Sequence, residues 1–507
     1  MTRRDGTTRT ADGAAHAQVL AGDPGVVDPA GAPAPAEASP TETSSLFGRG
    51  LLYVAVYALQ LVSATLVSPV LAHLLTSEQF GELAAAISMS QVLVILAVLG
   101  IDQAVVLVHA EAGGPARARA VLAQGLVVAL VVTALAWTSA HWWGPALGLG
   151  TSTTLLWTVI AWTPPSAVVS VVLIILVAQD RLTAFSVVTV VMTVGAQVLG
   201  LVFLLVAGTD AAAPYARGVL VAMLVAMVLA VALVRPRWAG VADPALARHA
   251  LALGLPLMVS TLAVFVMNAG DRLVLAHLEG VVEVGRYQIA YTVGSVLMML
   301  LTATSTLWAP HLTSLQDPRA RWRTLADSRD GLLRLLVPAF LGLVLASPVL
   351  LRLFAPARLE PETLVVVVLL VAVTAFPLIF QSTAARAQTI LRRTRTVATV
   401  AIAGASVNIV LNFLFIPWWG LAGSAAATTA AFTIQAVLQH ATTPAGTLSA
   451  RVPVSVVVQV VLAVAAATAY VLAVPRETPW EVGGLLAALA CLPWFLREAH
   501  LLRRTQQ

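Results

Sequence analysis

Between Gly48 and Arg497 the chain is cut by short polar turns into fourteen apolar stretches, the first over 48–75, the eighth over 286–312 and the last over 482–497. Most are as long as the roughly 20 helical residues that cross a hydrocarbon layer. With 59% hydrophobic and 10% charged residues there is far more apolar surface than a water-surrounded core can hide, so lipid is the main solvent. In lipid a backbone must satisfy its own polar groups, and no alternating strand pattern offers a barrel. The expected fold class is therefore all-α: a polytopic membrane protein of about fourteen transmembrane helices.

The five residues Val70–Leu74 recur unchanged as Val274–Leu278, and at the same offset of 204 residues Gly81 aligns with Gly285. The offset carries the first span onto the seventh and the second onto the eighth. Two related six-helix bundles follow, over 46–240 and 241–445, with 446–507 adding two helices and a short cytoplasmic tail. Parallel halves of this kind enclose a central cavity about an axis along the membrane normal. Residues 1–45 have no periodic apolar face and are expected to be a disordered cytoplasmic tail. Segment 313–334, dense in Arg and Asp, is expected to be a short surface helix ahead of the ninth span.

All 29 basic residues are Arg. If successive loops alternate sides and the N-terminus is cytoplasmic, 23 of them fall on the cytoplasmic side, and Arg217, Arg272, Arg286, Arg352, Arg358 and Arg476 do not. That asymmetry points to the inner membrane with both termini in the cytoplasm. The arginines form no stripe interleaved with aromatics, so nucleic acid is not an expected partner. Trp142, Trp143, Trp238, Trp322, Trp418 and Trp419 lie beside span ends, where amphipathic rings favour the headgroup layer. The single cysteine, Cys491, excludes an intramolecular disulfide and a paired-cysteine metal site. No nucleotide loop, zinc motif or nucleophile elbow is present, so neither an enzyme nor a cofactor is expected.

Polar groups inside spans are costly and therefore candidates for function. Asn268, Asp271 and Arg272, spaced i, i+3 and i+4, share one face of the seventh span. Arg272 either meets an anionic headgroup, with Asp271 holding its fork, or snorkels to the interface. Asp102 is a proton or cation site, or else caps a helix contact. Asn408 and Asn412, one turn apart, and Gln381 with Arg386 either join neighbouring helices or touch substrate. His73 and His277, in the repeated string, read as helix-end residues. Pro256 and Pro377 should bend the seventh and tenth spans and free carbonyls towards a cavity.

Three stretches resemble the polysaccharide transporter branch, which includes the O-antigen-type flippases, of the multidrug/oligosaccharidyl-lipid/polysaccharide exporter superfamily. They are Val70 to Gly81; Asp271-Arg272-Leu273-Val274-Leu275 followed by Glu283-Val284-Gly285-Arg286-Tyr287; and Asn408 to Asn412 followed by Ile416-Pro417, Gly420, Gly423 and Ala425 to Thr428. Together they reach across about 48–440. The resemblance implies a twelve-helix exporter core with two added helices. It also implies a lipid-linked glycan substrate on a polyprenyl diphosphate carrier, moved between leaflets, with membrane lipid and a glycan polymerase or glycosyltransferases as partners. A peptidoglycan-precursor flippase and a cation-coupled multidrug exporter are the alternatives within the superfamily.

Overall fold

The computed structural model describes residues 59, 63, 65–111, 113–149, 153–302, 317–448, 451–474 and 478–504. The tail expected over 1–45 lies outside the described residues. Helix α1, Thr65–Leu74, is followed by α2 (Ser77–His109), α3 (Gly114–Ala146), α4 (Thr153–Ala178), α5 (Leu182–Ala207), α6 (Ala212–Val234) and α7 (Pro244–Leu278). Then come α8, beginning with Val281–Gly294, and α9, Pro318–Phe354. Pro361–Ile390 is α10. Thr394–Ala441 is two helices, because Gly420 (φ 53°, ψ −131°) breaks the ladder; its arms 394–419 and 421–441 are α11 and α12. Val454–Ala473 and Thr478–Arg504 are α13 and α14.

Eleven continuous helices among the described residues are long and apolar enough to cross a membrane, with α11 and α12 counted as one. The remaining two of the fourteen expected spans, the first and the eighth, run partly through residues outside those described.

Local chemistry sets where the helices begin. Asp243 and Asp317 each precede a proline, and each carboxylate accepts from the two backbone N–H groups beyond it, at 3.0 Å for Ala245 and Leu246 and at 3.0 and 3.2 Å for Arg319 and Ala320. An acidic N-cap with proline in the first turn satisfies donors the helix would otherwise orphan. From that cap at Asp317, α9 runs for 37 residues and carries Pro338 and Pro348 within it. Its first turns are not the separate surface helix expected over 313–334: Leu325, Ala326, Ser328 and Arg329 are buried in packing.

Of the two prolines expected to bend spans, Pro256 lies inside the uninterrupted helical stretch Pro244–Phe265, while a break in α10 comes near Pro377. The helix is interrupted at Thr374, three residues before Pro377, and the hydroxyls of Thr374 and Thr429 both donate to the Leu370 carbonyl, at 3.2 and 2.9 Å. Side-chain hydroxyls thus replace part of what the broken ladder gives up.

Helix α4 is the most enclosed span, packed against α2, α3 and α6, whereas α14 touches chiefly α9 and buries almost nothing. Close helix approach relies on missing side chains. A Cβ at Gly218 would lie 2.3 Å from the Leu199 carbonyl oxygen where α6 meets α5. Where α2 meets α8, a Cβ at Gly81 would lie 1.8 Å from the Val281 oxygen, and one at Gly285 would lie 3.2 Å from Gly81 Cα. The two glycines paired by the sequence repeat therefore meet in space, as small residues do where membrane helices cross tightly.

Three of the arginines placed away from the basic face, Arg286, Arg352 and Arg358, are tied down. Arg286 pairs with Glu283 and Glu360, each at 2.8 Å, and Arg352 pairs with Glu362 at 2.9 Å and Glu481 at 2.6 Å. Arg358 donates to the carbonyls of Ala72, His73 and Leu75 that end α1. Both repeated histidines also meet backbone carbonyls, His73 that of Pro69 one turn back in its own helix (2.9 Å) and His277 that of Ala146 at the end of α3 (3.0 Å).

At the far end of α2, Glu111 accepts from His249 (2.8 Å) and Arg117 (2.6 Å), linking the α2–α3 turn to α7. The His249 bond first, and then these two cationic neighbours, hold its carboxyl below the ordinary carboxylate range. A depressed folded pKa gives stability that is complete above the unfolded value, about 4.3, and is lost as pH falls through the lower folded value. The pair is half-exposed, so the effect is small. Melting curves should show wild type slightly above Glu111→Gln at pH 7 and the two converging in acid. A gap that widens on acidification would contradict this assignment.

Candidate functional site

A five-residue π-helical turn, Val266–Gly270, interrupts α7 just before Asp271 and Arg272. Such turns insert one extra residue and re-aim the side chains that follow. Here they turn into the interface with α8, and Asp271 and Arg272 are only 1% and 5% exposed. Asp271 Oδ1 accepts from the Arg272 backbone N–H (2.9 Å) and from its Nη1 (3.1 Å), while Oδ2 accepts from the Tyr287 hydroxyl at 2.6 Å. Arg272 Nε donates to Gln288 Oε1 at 2.7 Å, and Nη1 also reaches the Asn268 carbonyl at 3.1 Å. The guanidinium carbon stands 4.2 Å from the centre of the Tyr291 ring. This cation is paired, hydrogen-bonded and stacked on an aromatic face, as a charge withdrawn from water must be. It does not snorkel to an interface.

Asn268 lends that network only its carbonyl. Its own amide turns back to Val264 O at 2.8 Å, and the side chain is exposed.

The other residues suggested by the sequence stand apart from this network and largely from one another. Asp102 begins the second segment of α2, after Leu99 and Gly100 adopt left-handed backbone angles, and is half-buried with Gln103 donating to it at 3.2 Å. Asn408 and Asn412 are buried and join α11 to α12: Asn408 donates to Thr428 at 3.3 Å, and Ser424 donates to Asn412 at 2.9 Å. Gln381 and Arg386 are half-buried on α10, and Arg386 makes no ion pair among the described residues.

Two features escape sequence reading. Glu82 is fully buried, with Gln79 donating to one oxygen at 2.9 Å and the other oxygen unpartnered. Its four-residue spacing from Glu78 at the start of a span resembles a headgroup position and conceals its burial. The second feature is a cavity of about 480 Å³ among α2, α4, α5 and α6, with Phe265 of α7 and Ser63 also lining it. Its size lies within the range of small-molecule sites, roughly 300–1,000 Å³.

Polar groups face this cavity from several helices: Ser90 and Gln91 from α2, Ser166 and Ser170 from α4, Thr193 and Gln197 from α5, and Tyr215 from α6. A second π-helical turn, Val191–Gly195, presents Met192 and Thr193 to it. Tyr215 donates to Gln197 Oε1, and Trp162, whose indole N–H bonds the Ala216 carbonyl at 3.1 Å, forms part of the wall. Hydroxyls and amides beside aromatic and thioether surface suit a ligand that is hydroxylated on its edges and apolar on its faces.

A family model described as polysaccharide biosynthesis protein matches residues 49–316. The probable flippase AglR of Haloferax volcanii is 25% identical over 173 residues, 33% of this chain and 36% of AglR, so the match spans about a third of that relative. Among solved structures, the lipid II flippase MurJ in an inward closed conformation superposes with a TM-score of 0.68 at 14% identity, covering 90% of this chain and 99% of that one. An inward-facing multidrug resistance MATE transporter of the MOP superfamily gives 0.58 at 14% identity, covering 81% and 95%. At such identities the two structures establish a shared fold and nothing finer. The family match, residues 49–316, takes in 268 of 507 positions, and the chain belongs to the polysaccharide biosynthesis protein family, as a multi-pass membrane protein with the MurJ- and MATE-like fold.

Proposed function

We propose that this protein is a flippase that carries a lipid-linked glycan precursor, on a polyprenyl diphosphate or similar carrier, across the cytoplasmic membrane. The observation that carries the reading is the hydroxyl- and amide-lined cavity set among helices that are otherwise apolar. Sugars have no place in hydrocarbon, because each unsatisfied hydroxyl there costs several kcal/mol, on the order of 4–8 by transfer to alkane. A polar pocket within the helices lets a headgroup cross while its tail stays in lipid.

In this reading the two bundles, 46–240 and 241–445, alternate in opening to either side, with 446–507 appended and both termini in the cytoplasm. The chain performs no covalent chemistry, and its energy comes from a gradient or from the membrane potential. Family membership and the name of the matched relative support the substrate class.

Deletion in the native cell tests the assignment. Loss of a surface polymer with accumulation of its lipid-linked precursor is the expected result, with drug tolerance and viability unchanged. Lysis on depletion would point instead to a peptidoglycan precursor, and heightened drug sensitivity to a multidrug exporter.

A further inference from the structure

The geometry points to a substrate restriction: the cavity accepts uncharged saccharides and excludes those bearing carboxylates. This inference rests on the flippase reading above. No Asp, Glu, Lys, Arg or His lines the cavity among the described residues.

The directions of the hydrogen bonds favour the same selectivity. Ser90 donates its hydroxyl proton to Ile87 O (2.7 Å), Ser170 to Ser166 O (2.8 Å) and Thr193 to Thr189 O (2.7 Å), so all three are committed to their own helices. What these hydroxyls have left to offer is lone pairs. A sugar hydroxyl, which donates as well as accepts, finds partners there, whereas a carboxylate accepts only and meets further acceptors.

Donors come mainly from two amides. Gln91 makes no side-chain hydrogen bond among the described residues, and Gln197, its oxygen occupied by Tyr215, keeps its NH₂. Neutral amides satisfy ring and hydroxyl oxygens but do not neutralise a charge. An anion brought into such surroundings without a cation loses its hydration and gains no ion pair. The carrier diphosphate is common to neutral and acidic precursors, so its own cost cancels in any comparison between them.

Proteoliposomes supplied with two fluorescent polyprenyl diphosphate disaccharides test the inference, one ending in a hexose and the other in the matching hexuronic acid. The wild-type protein should flip the neutral probe at least roughly 100-fold faster, the scale of an uncompensated buried charge. Gln91→Arg, which adds a cation inside the cavity, should lift the acidic rate relative to the neutral one by about tenfold or more. Thr193→Arg, on a different helix, should shift the ratio the same way and guards against one variant failing to fold. Equal wild-type rates for the two probes would overturn the restriction while leaving the flippase reading intact. Movement of neither probe would overturn the flippase reading and the restriction with it.

Discussion

Asp271→Ala should cost about 3–5 kcal/mol and sharply reduce the amount of folded protein recovered from the membrane, since it leaves a buried arginine without its counter-ion. The same change strips the acceptor from the Tyr287 hydroxyl, now 2.6 Å from Asp271 Oδ2. Arg272→Ala should be comparably damaging, because it leaves a buried carboxylate beside Tyr287 with no cation. Arg272→Lys should rescue little: one ammonium does not reproduce contacts to Gln288, Asp271 and Asn268 together with stacking on Tyr291. Removing both charges at once, as Asp271→Leu with Arg272→Met, should cost less than the sum of the single losses. Thermal melting of purified variants, arranged as a double-mutant cycle, gives the coupling directly. Normal melting temperatures for both single alanine variants would refute the clamp and restore Arg272 as a residue free to meet substrate.

Gly81→Ala is the second large effect expected. Its methyl would sit 1.8 Å from the Val281 carbonyl oxygen, a backbone atom that cannot rotate away, so α2 and α8 must separate. Overpacking of this kind costs about 1–3 kcal/mol. In a transporter whose helices part and rejoin, it should also disfavour the conformation in which these two helix starts touch. Gly285→Ala should be milder, since its nearest neighbours lie at 3.1–3.2 Å and one of them is a ring atom of Phe80. Gly280→Ala makes a useful control. Nothing lies within 4 Å of that glycine, and its φ of +92° imposes backbone strain without a clash. If Gly81→Ala melted and transported like wild type while Gly280→Ala did not, the close crossing would not be the controlling contact.

The reach of sequence reasoning follows from the range over which each signal acts. Apolar runs are local, and they placed the helices with little loss. The first turns of α9 were misjudged because Arg and Asp density between 313 and 334 looks amphipathic, while burial of Ser328 and Arg329 depends on neighbours distant in the chain. Asp271 and Arg272 stand out because charge is rare in spans. Tyr287 and Gln288, sixteen residues on, acquire meaning only when α7 folds back on α8.

The offset of 204 residues aligned Gly81 with Gly285, yet only the fold shows that the aligned pair meets. The cavity was the least legible feature. Ser90, Gln91, Ser170, Thr193 and Gln197 are unremarkable singly, and it takes the packing of several helices to face them into one space. The joining role of Asn408 and Asn412 was easier to anticipate, because membrane helices commonly bury amides against one another.

The most direct test of the account is passage of a headgroup through the isolated protein. Purified chain in liposomes, with a neutral fluorescent polyprenyl diphosphate disaccharide in both leaflets, is challenged with a membrane-impermeant quencher. The expected result is loss of signal from both leaflets, slowed by obstructing the cavity with Ser170→Trp. Quenching confined to the outer leaflet, indistinguishable from protein-free liposomes, would contradict the claim that these helices carry a glycan across the membrane.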